Sequence, residues 1–156
     1  MFLSKVEVPL NLPGIEAARK RRGQETSRAI SLAFQGTRLE KGLVEEYEKQ
    51  LLDRPDELTS RIQLLGYYFV RQFSFPEEKA RRSKHILWII EHQPRTAIAF
   101  TPYIRLETDP PAYAHAKGLW LHHLEQAHDV ALIENAALFL SKNDRSLAQS
   151  IWRQIH

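Results

Sequence analysis

Residues 39–71 read LEKGLVEEYEKQLLDRPDELTSRIQLLGYYFVR, and this stretch decides the fold class. Its first half places apolar side chains at helical spacing, with charged residues on the opposite face. These apolar residues are Leu39, Leu43, Val44, Tyr47 and Leu51. Pro55 ends this helix because the residue before a proline is pushed out of the helical region. A second apolar stripe runs from Leu58 to Phe69, so the stretch predicts two consecutive helices.

The same succession of apolar stripes and breakers continues along the chain. Ser74-Phe75-Pro76 ends the second helix, and a third helix is predicted from there to Gln93, where Pro94 stops it. Residues 95–111 contain three prolines and three threonines, which leaves room only for short helical pieces around 97–100 or 103–106. Further helices are predicted over 112–127, over 130–141 and from 145 onwards. The predicted fold class is therefore all-α.

The N-terminal part of the chain, up to position 38, follows a less regular pattern. Met1 to Gly14 carries Pro9 and Pro13 and is typical of an extended arm with a turn. One or two modest helices are expected after it, interrupted at Gly23. The sequence thus predicts a basic N-terminal arm over residues 1–38 and a helical domain over residues 39–156.

Composition excludes several classes of protein. A chain of 156 residues that is 43% hydrophobic and 26% charged can bury a sizeable core. Because it has no cysteine, it has no Cys-ligated zinc and no thiol nucleophile. No run of 18 or more apolar residues is present, and the start of the chain is too polar for a signal-peptide core. We therefore expect a cytoplasmic protein without a membrane-spanning helix.

Certain residues recur at the spacing of helix-pair repeats. The pattern A-x-x-x-W occurs at Ala116/Trp120 and recurs at Ala148/Trp152. Two helix-ending prolines, Pro55 and Pro94, are separated by a similar interval. Both intervals lie in the range of about 30 to 40 residues that is typical of solenoids built from helix pairs.

From Leu39 to its end, the chain resembles the tetratricopeptide-repeat family. The family pattern W-x2-L-G-x2-Y is similar to Ile62-x2-Leu65-Gly66-x2-Phe69 and to Leu132-x2-Asn135-Ala136-x2-Phe139. The middle repeat departs from the pattern, since its first helix falls in the proline-rich segment 95–111. The resemblance implies antiparallel helix pairs stacked as a short TPR-like α-α superhelix. An unrelated α-helical bundle is the alternative.

In tetratricopeptide proteins the first helix of each pair lines a concave groove that binds peptide segments. The resemblance therefore implies a scaffold or adaptor that binds another protein. The residues implied to face the groove are Ser60, Gln63, Tyr67 and Arg71 in the first pair and Val130, Ile133, Ala137 and Leu140 in the last. The carboxylate-clamp variety of the family has Lys and Asn at several of these places, so a clamp is not expected here.

The alternative function is nucleic-acid binding through a basic segment. The net charge of +3 depends on one run of four cations, without which the balance is 3 − 4 = −1. The residues predicted to contact phosphates or an acidic partner are Arg19, Lys20, Arg21, Arg22 and Arg28. No stacking aromatic residue is interleaved with them.

A histidine-based metal or enzymatic role is the third hypothesis. His85 and His92 are seven residues apart, as are His115 and His122, so each pair would be separated by about 10 Å along one helix face. That distance is too long for one metal ion to bridge. The sequence has no H-E-x-x-H motif, glycine-rich phosphate loop or G-x-S-x-G elbow. We therefore assign no catalytic residue, metal or cofactor.

The C-terminal segment predicts self-association. Ile151 and Ile155 form a row beside Ala148 and Trp152, and the combined stripe is wide for a helix that packs on one side only. Such a stripe tends to find a partner surface. A homodimer through this helix is expected, with a folded-back N-terminal arm or a different protein as the alternatives.

Overall fold

The computed structural model describes residues 15–155, and all regular structure within that range is helical. The α-helices are α1 (Ile15–Gly36), α2 (Lys41–Asp53), α3 (Leu58–Arg71), α4 (Pro76–His92), α5 (Pro110–Gln126), α6 (Val130–Leu140) and α7 (Arg145–Trp152). Two short 3-10 helices, Ala97–Phe100 and Pro102–Ile104, lie between α4 and α5. The all-α prediction is confirmed. The extended arm predicted over Met1 to Gly14 lies outside the described residues.

The helix boundaries follow the breakers and caps in the sequence. Prolines stand at the first position of α4 and α5, where a backbone N–H has no partner within the helix. Asp109 and Asp129 cap α5 and α6, because their carboxylates accept hydrogen bonds from backbone N–H groups in the first turn. The two 3-10 helices occupy the segment in which only short helical pieces were expected.

One helix, α1, replaces the interrupted segment expected over the N-terminal region. It runs for 22 residues and passes through Gly23 without a break. A glycine inside a helix costs about 1 kcal/mol relative to alanine. Burial of Ala29 and Ala33 against the rest of the molecule offsets that cost, since tertiary packing supplies most of a helix's stability.

Helix α1 packs directly against α3, and two glycines allow the close approach. A Cβ atom on Gly66 would overlap the carbonyl oxygen of Ala33, and one on Gly36 would overlap the carbonyl oxygen of Gln63. Because the higher-numbered residue of α1 faces the lower-numbered residue of α3, the two helices run antiparallel. The contact needs glycine at both positions for steric reasons.

From α2 onwards, each α-helix packs against the next one along the chain, with the 3-10 segment between α4 and α5. The second and third helices predicted from the sequence are thus in contact with each other, as α3 and α4. Most residues of the main core belong to the segment from α3 to α7, and they include the fully buried Trp120. A smaller apolar cluster beneath α2 contains Val44, Leu64 and Tyr68.

Among residues 15–155, none of the helices combines the length and the apolar character needed to cross a membrane.

Candidate functional site

A groove of about 570 Å³ opens between α6 and α7 beside the first 3-10 helix. Its lining residues come from all three elements: Phe100, Ala137, Leu138, Ser141, Arg145, Ala148, Gln149, Trp152 and Arg153. Ala137 and Ala148 are buried and small, so they leave space between the larger apolar side chains. Trp152 is 37% exposed, which is a large solvent-accessible area for an indole. The groove is therefore an accessible and mainly apolar surface.

The start of α7 is fixed by a polar contact with α5. Asp144, directly before α7, accepts hydrogen bonds from the Tyr113 hydroxyl at 2.6 Å and from Lys117 Nζ at 2.9 Å. These bonds from Tyr113 and Lys117 lower the pKa of Asp144. The Tyr113 ring in turn stacks on Phe139 of α6, with ring centroids 5.4 Å apart. One tyrosine thus ties α5, α6 and the start of α7 together.

The charges along the groove have one sign. Arg145 and Arg153 are its only charged lining residues within the described part of the chain. Arg22 also lies near Phe100, with its guanidinium 5.0 Å from the centroid of that ring, but its charge is paired with Glu134 and does not add to those of the lining. The groove therefore offers an apolar surface with a positively charged edge.

Most of the residues predicted to face a repeat groove lie elsewhere or inside the core. Ser60, Tyr67, Ile133, Ala137 and Leu140 are buried. Of these five residues, only Ala137 lines the α6–α7 groove.

The other three predicted groove residues keep some exposure. Gln63 faces α1, because its backbone is in contact with Gly36. Arg71 is held by Glu78 at 2.8 Å. Val130 is exposed at the start of α6. Because α1 covers one face of α3, the structure does not present the four α3 residues together on one open surface.

The structure divides the predicted basic run into two parts. Arg19, Lys20, Arg21 and Arg28 are exposed on α1. Arg22 instead points to α6, where its guanidinium donates to Asn135 Oδ1 at 2.7 Å and lies 3.3 Å from Glu134 Oε2. Arg22 is therefore a structural link between α1 and α6, and four cations remain on the surface.

The C-terminal apolar stripe is also divided by the fold. Ile151 is fully buried within the chain, and Ile155 is half-buried against the core. Trp152 is turned outward into the groove, because it follows Ile151 at about 100° around the helix. Trp152 thus lines the groove, and the two isoleucines belong to the core.

A second, polar cleft of about 830 Å³ lies among α2, α3, α4 and α5. Its buried side carries a chain of hydrogen bonds from Arg61 through His85 to Glu48. Arg61 Nη1 lies 3.0 Å from His85 Nδ1, and His85 Nε2 lies 2.6 Å from Glu48 Oε1. Because a guanidinium only donates, Nδ1 is the acceptor and the Nε2–H donates to the carboxylate. The network thereby fixes the tautomer of His85.

The same network perturbs three pKa values. Burial raises the pKa of Glu48, but hydrogen bonds from His85 and Tyr68 outweigh burial, and the net shift is downward. Burial lowers the pKa of Arg61 to about 10, although the charge of Glu48 opposes that shift. The pKa of Tyr68 is raised by burial and by its bond to Glu48. Arg61 also donates through Nη2 to the Pro55 carbonyl oxygen, and its buried Nε has no hydrogen-bond partner among the described residues. The hydrogen bonds that join Arg61, His85, Glu48 and Tyr68 are typical of a structural polar cluster.

The remaining histidines do not gather around a common point. His92 Nδ1 contacts the Trp88 carbonyl oxygen, and His123 Nε2 contacts the Ile90 carbonyl oxygen. Over residues 15–155, no group of three or more His, Asp or Glu side chains could hold a metal ion. Ser83 in the polar cleft donates to Asp109 at 2.6 Å, and that carboxylate also caps α5.

Sequence reasoning missed the groove residues Phe100, Arg145 and Arg153. The recurrence of the Trp120 pattern predicts a core position for Trp152, but only Trp120 is fully buried. A helical projection of α7 contains the missing signal, since Ala148 and Ile151 define the inward face and Trp152 lies to one side of it.

Comparisons of this chain with protein-family models, with curated proteins and with solved structures give no match.

Proposed function

We propose that this chain is a protein-interaction module whose α6–α7 groove binds an apolar segment of a partner protein flanked by acidic residues. The observation that carries the proposal is the chemistry of the groove lining. Trp152, Leu138 and Phe100 supply apolar surface, and the charged residues at the edge are arginines. Tryptophan and arginine are among the residues most enriched at energetic hot spots of protein interfaces.

The shape of the groove favours a peptide segment as its occupant. The space lies between two packed helices, and an amphipathic helix or short extended segment fits such a groove through apolar side chains three or four residues apart. Arg145 and Arg153 then select acidic side chains on the partner by charge complementarity. The order in which successive helices pack supports a TPR-like stack as the framework for this groove.

The test is a peptide-display selection against the wild-type chain, with counter-selection on the Trp152→Glu variant. Enriched peptides are expected to share apolar residues at helical spacing together with Asp or Glu. A selected peptide should bind Trp152→Glu about 30-fold more weakly, since a hot-spot residue contributes about 2 kcal/mol or more. Because the chain has no cysteine, Gln149→Cys provides a single labelling position beside the groove for fluorescence titration.

The matched control is Phe34→Glu, which changes an aromatic residue that is 55% exposed outside the groove lining. Binding should be unaffected by this substitution. Peptides that bind wild type and Trp152→Glu equally would refute the proposal. A wild-type dimer in light scattering that Trp152→Glu converts to monomer would assign the groove to a second copy of this chain.

Nucleic-acid binding through α1 is the second candidate function. Arg19, Lys20, Arg21 and Arg28 are exposed, and no ion pair within residues 15–155 involves them. Arg21 and Arg28 are seven residues apart and share one face of the helix. These four cations are thus available to phosphates.

If they bind duplex DNA, affinity in fluorescence anisotropy should fall about 100-fold between about 50 and 200 mM salt, because about four phosphate contacts release counterions. Replacing the four by glutamine should abolish binding. The control replaces four other exposed cations with glutamine, so it has the same net charge as the first variant. These cations are Arg38, Lys41, Lys49 and Arg54. Equal losses in both variants would indicate a general charge effect and exclude a site on α1.

A further inference from the structure

A small pocket of about 170 Å³ lies away from the α6–α7 groove, between the end of α3, α4 and the segment that leads into α5. Its lining residues are Phe69, Gln72, Phe73, Arg82, Pro102, Arg105, Glu107, Thr108 and Lys142. Three of these are cations and one is a carboxylate, so the lining carries a net charge of 3 − 1 = +2. A concentration of positive charge in so small a space is unusual without a counter-ion.

Arg82 is the buried member of this set, with only 2% of its surface exposed. Its guanidinium donates to two neutral acceptors, Gln72 Oε1 at 3.3 Å and the Tyr103 carbonyl oxygen at 2.7 Å. Its Nε atom is buried and has no hydrogen-bond acceptor among the described residues. Over residues 15–155, no carboxylate lies within ion-pair distance of Arg82. Burying a cation without a charged partner costs free energy, and an anion bound beside it would offset that cost.

The one carboxylate in the pocket is already engaged by the two outer cations. Glu107 Oε2 lies 2.6 Å from Lys142 Nζ, and its Oε1 lies 3.8 Å from Arg105 Nη1. Burial lowers the pKa of Arg82 to about 10, although the charge of Glu107 opposes that shift. The charge of Glu107 therefore affects the pKa of Arg82 from a distance, and the two side chains do not form an ion pair.

We infer that this pocket binds a phosphoryl group, with Arg82 as the buried anchor and Arg105 and Lys142 as the outer cations. A phosphate monoester carries a charge of about −1.5 to −2 at neutral pH, which matches the +2 of the lining. Guanidinium groups suit phosphate oxygens because they present several N–H donors in one plane. The pocket is smaller than the roughly 300–1,000 Å³ of sites that enclose whole drug-sized ligands, so it fits the phosphoryl group itself.

The source of the phosphoryl group is either free phosphate or a phosphate monoester on a larger molecule. Isothermal titration with inorganic phosphate and with O-phosphoserine, at constant ionic strength, separates the two. Saturable binding of either ligand supports the pocket, and the tighter one identifies the source. Acetate at the same concentration should not bind detectably, because it lacks the second negative charge.

Three single substitutions test the assignment without disturbing the core. Arg105→Gln and Lys142→Gln should each weaken binding about 10-fold, since each removes a charge-assisted hydrogen bond. Glu107→Gln should strengthen binding, because it removes the carboxylate that competes for the same two cations. A purely structural role of these residues does not predict opposite signs. Arg82→Gln, in material that circular dichroism shows to be folded, should abolish binding.

The control is Arg54→Gln, which removes one exposed cation from the turn between α2 and α3. Phosphate affinity should not change in this variant. Absence of saturable binding to the wild type would overturn the inference. It would also be overturned if Arg54→Gln weakened binding as much as Arg105→Gln, or if Glu107→Gln weakened it. The inference does not depend on the groove, so Trp152→Glu should bind phosphate normally.

Discussion

Gly66→Ala is expected to destabilise the fold by about 3 kcal/mol or more, a large part of the stability of a domain of this size. The added Cβ would overlap the backbone carbonyl of Ala33, and backbone atoms cannot move aside as a flexible side chain can. Helices α1 and α3 would have to separate, which exposes Ala29 and Ala33. Chemical denaturation followed by circular dichroism at the helix band measures the loss.

Gly118→Ala is the matched control, because Gly118 lies within α5 and has no atom within 4 Å of an added Cβ. This variant should gain about 0.5–1 kcal/mol, since alanine restricts the unfolded chain and favours helix. Equal stability of the two alanine variants would show that α1 and α3 do not approach each other closely at Gly66.

Glu48→Ala is expected to reduce the free energy of unfolding at neutral pH by about 2–3 kcal/mol. Two buried donors would lose their acceptor, since Tyr68 Oη and His85 Nε2 both bond to Glu48 Oε1, at 2.7 and 2.6 Å. Arg61 would also lose the negative charge closest to it along the network. The neighbouring substitution Glu45→Ala removes an exposed carboxylate from the same helix and should change stability by less than about 0.5 kcal/mol.

Acid denaturation gives a second readout of Glu48. Its pKa is lower in the folded protein than its ordinary value of 4.5. The stability it contributes is therefore present above pH 4.5 and is lost as the pH falls through the folded-state pKa. The difference between wild type and Glu48→Ala should shrink over that range. A difference that stays constant down to low pH would mean that the Glu48 charge contributes nothing to the network.

The positions of the helix ends were predictable because they depend on nearest neighbours. Pro55 and Pro94 stop α2 and α4 through local backbone sterics, and Asp129 caps the following helix through a bond to a residue three positions away. The break expected at Gly23 is absent because the packing energy of α1 outweighs one local cost. That packing depends on Ala33 and Gly66, which lie on different helices and far apart in the sequence.

The candidate sites depend almost wholly on long-range contacts. In the sequence Arg22 is one of five equivalent cations, but the fold places it against Glu134 and Asn135. Nothing in the sequence distinguishes Arg82 from its neighbour Arg81. Its burial next to Arg105 and Lys142 depends on how α4 meets the 3-10 segment and the end of α6.

The amino-acid sequence by itself determined that this protein is all-α, where most of its helices begin and end, and that α3 is followed closely by α4. Those properties arise from periodicity, proline sterics and capping, which act over a few residues. Only the tertiary structure decided which apolar helix faces remain exposed and which cationic side chains are buried. Ile151 and Trp152 are adjacent, yet one is buried and the other lines a groove. Helix packing determines this difference, because the exposure of a side chain depends on which elements cover it. Those elements come from distant parts of the chain.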